Sequence, residues 1–143
     1  MTSMNTISAM IDFTLDIAPP TVTAQQHKVA VIKGKPRFYE GKDLLSAKAL
    51  FMWQLRQHAP KEPLTGAIKL EVDWVFATKS HKEGEWRVTR PDTDNLQKLF
   101  KDCMTKSGFW NDDSQVCIET VTKRWSRSKP GIHVSVRQIQ EIG

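Results

Sequence analysis

The sequence predicts an α+β fold in which a mixed β-sheet carries two main helices packed on one face. Three observations lead to it. Ile68, Leu70, Val72, Trp74 and Phe76 alternate with Lys69, Glu71 and Asp73, the two-residue period of a strand with one buried face. Two stretches, 43–58 and 94–106, instead carry apolar residues at the three- and four-residue spacing of an amphipathic helix. The length of 143 residues suits one domain spanning 1–143, with residues 1–9 expected to be flexible.

Taken in chain order, Ile11, Phe13, Leu15 and Ile17 alternate with Asp12, Thr14 and Asp16 as a half-buried strand, which Pro19 and Pro20 end. A second extended segment, 29–32, leads into 33–37, where Gly34 and Pro36 predict a turn in an exposed basic loop. The first helix has a stripe of Leu44, Ala47, Phe51 and Leu55, widened by Leu45, Ala49 and Met52. Gly41 before it and Pro60 and Pro63 after it supply its boundaries.

The strand at 68–76 follows, and then 78–90, polar and rich in charge, which reads as a flexible or DNA-facing loop. The second helix buries Leu96, Leu99, Phe100 and Cys103, and Gly108 is placed to stop it. Val116, Ile118, Thr120, Val121 and Thr122 then mark a β-branched strand over 116–125. In the last strand Ile132, Val134 and Val136 alternate with His133, Ser135 and Arg137, and 126–131 is expected to be the hairpin loop joining these two strands. No internal repeat or low-complexity segment interrupts the pattern.

Composition narrows the function classes. With 39% apolar and 26% charged residues the chain reads as a globular protein, and no apolar run is long enough to cross a bilayer. The start of the chain lacks a basic opening followed by an apolar core, so a cytoplasmic location is expected. Twenty-one Lys and Arg against 16 Asp and Glu leave a net charge of +5, which favours an anionic partner such as nucleic acid. Cys103 and Cys117 are too few for a disulfide framework and read as reduced, mostly buried thiols. His27, His58, His81 and His133 are scattered over different elements, against a zinc site or a histidine-based nucleophile. Trp53 and Trp74 read as core residues, Trp86 in its basic loop is a candidate for base stacking, and Trp110 reads as packing against a helix.

Chemistry concentrates in 90–98 and 109–115. Pro91 disfavours helix in Arg90, so the chain should enter Asp92 extended, and Asp92 and Asp94, two apart, then point to one side. Lys98 falls one turn beyond Asp94, on the helix face away from Leu96, Leu99 and Phe100. Asp113 precedes the next strand, and a strand running back past the helix start would bring it to the same point. Three converging carboxylates repel one another unless a cation neutralises them, and hard oxygen ligands suit Mg²⁺ or Mn²⁺. The bland alternative stands beside this: Asp92 or Asp94 caps the helix, Asp112 and Asp113 form a polar turn, and Lys98 is solvated.

The run Asp92-Thr-Asp-Asn-Leu-Gln-Lys-Leu-Phe-Lys-Asp102, followed by Thr105-Lys-Ser-Gly-Phe-Trp-Asn-Asp-Asp-Ser-Gln-Val116, resembles the signature of the RusA family of Holliday-junction resolvases. That resemblance implies that Asp92, Asp94 and Asp113 bind a divalent metal and that Lys98 is the family's essential lysine. It further implies a homodimer that binds four-way junction DNA by shape and places paired nicks near the crossover, in DNA recombination and repair. Many members are encoded by prophages and phages. Asp102 matches a frequent acidic position of the family, or else pairs with Lys98 or Lys106 on the helix surface. After the first strand, Pro19-Pro20 is followed by Thr21 rather than by the family's usual polar and basic residues.

Lys33, Lys35, Arg37, Lys79, Lys82, Arg87 and Arg90 are the candidates for phosphate contacts, since a junction presents four anionic arms. The leading expectation is a Mg²⁺-dependent, structure-selective endodeoxyribonuclease. A nuclease for other branched DNA and a non-catalytic, basic DNA-binding accessory protein are the alternatives.

Overall fold

The computed structural model describes residues 10–21, 28–32, 35–39 and 42–140, with side chains over 10–21 and 45–140. In chain order its elements are β1 (Met10–Leu15), β2 (Lys28–Ile32), β3 (Lys35–Tyr39), α1 (Lys42–Arg56), β4 (Ile68–Ala77), α2 (Thr93–Ser107), a 3₁₀ turn (Asp113–Gln115), β5 (Val116–Ser126) and β6 (Gly131–Gln138). The α+β class is borne out, with a four-stranded mixed sheet in the order β1-β6-β4-β5 and a separate antiparallel pair, β2-β3.

Alternation along β4 decides where the core lies. Ile68, Leu70, Val72, Trp74 and Phe76 are all buried on one face, where they meet Phe13 and Leu15 of β1 and Ile132, Val134 and Val136 of β6. The helices cover that face with Phe51 and Leu55 from α1 and Leu96, Leu99, Phe100, Cys103 and Met104 from α2. Phe100 stands edge-on to both Phe51 and Trp74, with ring centroids 5.1 and 5.0 Å away. Each large side chain buried here stabilises the fold by about 1.5–3 kcal/mol. The other face is polar: Asp73 accepts from Thr122 Oγ1 at 2.6 Å and from Arg124 Nη2 at 2.6 Å, and His133 meets Asp12 at 3.0 Å.

Several expectations need correction. β5 and β6 are not a hairpin, because β4 lies between them, pairing parallel with β5 and antiparallel with β6. The link from β4 to β5 runs through α2, and a crossover helix of that kind joins parallel neighbours. Residues 35–37 do not lie in a loop either: they begin β3, with Ile32 opposite Lys35 in a hairpin with β2. Trp53 is 63% exposed and Leu45 53% exposed, not core. Two residues beyond Phe51 is about 200° around a helix, so Trp53 faces away from the sheet. Cys117 is likewise exposed, because it sits on the edge strand of the sheet, while Cys103 is buried as expected.

The segment 78–90 is not a free loop. Gly84 N donates to Trp125 O, Trp125 N to Glu85 O and Arg87 N to Lys123 O, which fastens it along the end of β5. The expectation for residues 1–9 falls outside the described residues, as does Lys33. Among the described residues, no helix is long and apolar enough to cross a membrane.

Candidate active site

Helix α2 carries the candidate residues Asp92, Asp94 and Lys98 at and just after its start. The Arg90–Pro91 peptide is cis, and Asp92 beyond it is extended (φ −73°, ψ 147°) at the N-cap position, as the proline predicted. Its carbonyl accepts from Leu96 N at 3.1 Å, but its side chain makes no capping hydrogen bond. A cap aspartate usually spends its carboxylate on the helix's unpaired N–H groups; here that carboxylate is left for other use. Asp94 in the first turn and Lys98 one turn on are both exposed, and neither engages a partner among the described residues.

Beside Asp94, the same side of the helix is anchored to the sheet by polar bonds that sequence reasoning missed. Trp74 Nε1 donates to Gln97 Oε1 at 2.7 Å, Gln97 Nε2 donates to Glu119 at 2.6 Å, and Lys101 reaches the same carboxylate at 2.9 Å. Gln97 sits at the edge of the apolar stripe, one residue from Leu96, and only that phase hints at its burial. A shallow pocket of about 300 Å³, lined by Thr93, Asp94, Gln97, Lys101, Glu119 and Val121, opens beside Asp94.

Lys123 is a second residue that the sequence did not mark, since it is one of several polar side chains in an alternating strand. Its ammonium donates to Thr89 O at 2.7 Å and to Pro91 O at 2.6 Å. Burial lowers the pKa of that ammonium, the nearby Arg87 charge lowers it further, and the Asp92 carboxylate acts in the opposite direction.

Asp113 does not join Asp92 and Asp94 within one chain. The expectation was that the strand after α2 would return its start to the helix start, but β5 returns its far end instead. Lys123, near the end of β5, is the residue beside Pro91, whereas Glu119 meets the middle of α2 and Gln115 bonds Leu64 O near the helix C-terminus. The 15 residues of α2 extend about 22 Å, so Asp113 lies near the opposite end of the helix from Asp94. Among the described residues, no three His, Cys, Asp or Glu gather closely enough to hold a metal.

Asp112 and Asp113 differ in one decisive respect. Asp112 caps the 3₁₀ turn, accepting from Ser114 N at 2.9 Å in a reciprocal box with Gln115, and those bonds hold its carboxyl below the usual range. Asp113 has no capping duty and is exposed. Asp102 pairs with Lys106 at 3.1 Å, the helix-surface option.

A family model described as Endodeoxyribonuclease RusA matches residues 18–137, which include every one of these residues. The chain belongs to the RusA family. A crossover junction endodeoxyribonuclease RusA of Lactococcus phage r1t is 35% identical over 133 residues, covering 90% of this chain and 96% of the relative. The crossover junction endodeoxyribonucleases RusA of Escherichia coli strain K12 and of Enterobacteria phage 82 are each 56% identical over 34 residues, which is 24% of this chain and 28% of theirs.

With RusA membership established, the basic candidates sort by what their side chains already do. Lys79, Lys82 and Arg90 are exposed. Arg87 is half-buried, its guanidinium 4.2 Å from the Phe76 ring centre and 4.4 Å from that of Trp125, and it donates to Arg90 O. Lys35 and Arg37 stand in β3, where the backbone alone is described. Trp86 is 64% exposed at the sheet edge, open to stacking, while Trp110 is buried and donates to Thr105 Oγ1 at 2.7 Å.

Proposed function

We propose that this chain is a metal-dependent, structure-selective endodeoxyribonuclease that resolves four-way DNA junctions by paired nicks, acting as a homodimer in recombination and repair. The observation that carries the reading is the pair Asp92 and Asp94, at the head of α2 in a RusA-family chain, with the Asp92 carboxylate uncommitted to the helix cap. It would work in the cytoplasm of a bacterial host.

The donor set fits a hard divalent ion. Mg²⁺ typically takes one or two carboxylates together with substrate phosphate oxygens and water, and exposed Asp92 and Asp94 offer two such carboxylates; Mn²⁺ would suit the same oxygens. When bound, such an ion polarises the scissile phosphate and eases deprotonation of water. The residues of the chain do the rest. Asp92 and Asp94 would hold the ion, and Lys98 would offer an ammonium to charge building on the phosphoryl or leaving oxygen. Lys79, Lys82 and Arg90 would track phosphates, with Lys33, Lys35 and Arg37 as further candidates.

A homodimer supplies what one chain lacks. Within the described residues the outer edge of β5 is bonded by 84–87 only near Lys123 and Trp125, and its first half meets no strand there. An unpaired edge is a template for another strand. Two copies pairing antiparallel along that half would set the start of β5 in one against the far end of the open edge in the other. That is where α2 begins, so Asp113 of the partner subunit would approach Asp92 and Asp94.

The test is a nicking assay on a labelled, immobile four-way junction, with and without Mg²⁺, alongside Asp94→Asn and fork and duplex controls. Symmetric, Mg²⁺-dependent nicks at the crossover, lost in Asp94→Asn with junction binding retained, are expected. Preference for the fork would shift the substrate to other branched DNA. Tight junction binding without cleavage in Mg²⁺ or Mn²⁺ would overturn the catalytic reading.

A further inference from the structure

The three residues before Asp92 share an unusual arrangement: each of their carbonyls is held by a cation from elsewhere in the chain. Lys123 Nζ donates to Thr89 O at 2.7 Å and to Pro91 O at 2.6 Å, and Arg87 Nε donates to the intervening Arg90 O at 3.0 Å. We propose that Arg87 and Lys123 are positioning residues that clamp 89–91 and thereby aim Asp92 and Asp94, an inference that rests on the nuclease reading for its catalytic consequence.

Both cations stand on firm supports. Lys123 lies in β5 opposite Trp74 of β4, and its own carbonyl accepts from Arg87 N at 3.0 Å, so the two cations are tied to each other through the backbone. The guanidinium of Arg87 rests over the rings of Phe76 and Trp125, where the negative ring faces attract it. Two like charges placed side by side repel, and burial weakens the hydration of both. The carbonyl oxygens and the aromatic faces offset that cost. Polar loops ordinarily leave such carbonyls to water, which would let the approach to Asp92 shift.

The clamp explains how Asp92 can sit at the N-cap without using its carboxylate. Its backbone is set from the preceding residues and not by a bond from its own side chain. Because a misplacement of about 1 Å in a reacting group can cost about 100-fold in rate, a backbone fixed from the sheet has direct value for chemistry at Asp92 and Asp94.

The experiment compares Lys123→Met, Lys123→Arg and Arg87→Gln with wild type, using Lys129→Met as a control for the loss of one surface charge. Amide hydrogen exchange of the free protein gives the readout independent of activity. In Lys123→Met and Arg87→Gln, the amide of Leu96, which donates to Asp92 O, should exchange about 10-fold faster while those of β4 stay protected. Single-turnover nicking at saturating protein should fall between about 10- and 100-fold, with junction affinity changed no more than in Lys129→Met. Lys123→Arg, which keeps the charge and more than one donor, should restore most of the rate. Unchanged exchange at Leu96 overturns the clamp, and so does a loss of nicking matched by an equal loss of junction binding, which would make these residues phosphate contacts. If Lys123→Met does not fold, Arg87→Gln decides by the same criteria. A wild-type protein that cuts no junction would sink the nuclease reading, while the exchange result would still decide the clamp.

Discussion

Trp74 and Gln97 form a buried hydrogen bond, indole N–H to amide oxygen at 2.7 Å, in which the tryptophan is fully buried and the glutamine is 3% exposed. The bond joins the central strand to the helix that presents Asp94 and Lys98, and the same glutamine passes on to Glu119. Gln97→Leu would fill the space but leave the indole N–H without its acceptor. The expected loss is about 1–3 kcal/mol, read as a lower urea midpoint with an unchanged slope.

If the partner subunit's Asp113 completes the site of Asp92 and Asp94, two inactive variants should rescue each other. In a dimer of one Asp94→Asn chain and one Asp113→Asn chain, one site has both defects and the other has none. Mixing the two variants under exchange conditions should therefore restore single-strand nicking of a junction, at up to about a quarter of the wild-type rate per dimer, since about half the dimers are mixed and each has one of two sites intact. No recovery would mean that the two residues serve the same chain's site, or that Asp113 has another role.

Lys98→Met is expected to lower the single-turnover nicking rate by about 100-fold, the usual cost of removing one donor to developing charge. Junction affinity should change little, since one exposed ammonium among many basic groups contributes a small share of phosphate attraction. A gel-shift titration beside the cleavage time course separates the two effects.

Cys103 gives a pH signature. Burial first, and the Asp102 charge second, push its thiol from an ordinary value of 9.0 up to about 11. The folded state thus holds a proton that the unfolded chain releases between those values. The contribution is fully present below pH 9 and falls away as pH rises toward 11, by at most about 1.4 kcal/mol per pH unit. Comparing wild type with Cys103→Val over that window should show a steeper loss in the wild type. The native protein should also react with a thiol reagent at the exposed Cys117 and not at Cys103 until it unfolds.

Much of the fold was legible because its signals are local. The alternation at 68–76 reappears residue for residue in the burial of β4, and Gly108 ends α2 in the left-handed conformation (φ 92°) that its position anticipated. The extended entry to Asp92 followed from Pro91. Trp53 misled through residue type alone, since its helical phase already pointed away from Phe51. The pair Lys35 and Arg37 misled through Gly34 and Pro36, which suggested a loop in a segment that is strand from Lys35 on.

The site divides along the same line. That Asp92, Asp94 and Lys98 share one side of a helix start could be read from the chain alone, because residues two to four apart are related by backbone geometry. The sequence also carried the run that makes the chain a RusA-family member. Tertiary packing alone set β4 between β5 and β6, brought Lys123 and not Asp113 to Pro91, and laid Arg87 over Trp125. Those relations join segments 20 or more residues apart, and their choice depends on which strand edges and apolar faces can be satisfied together, a property of the whole packed chain and of no single stretch of it.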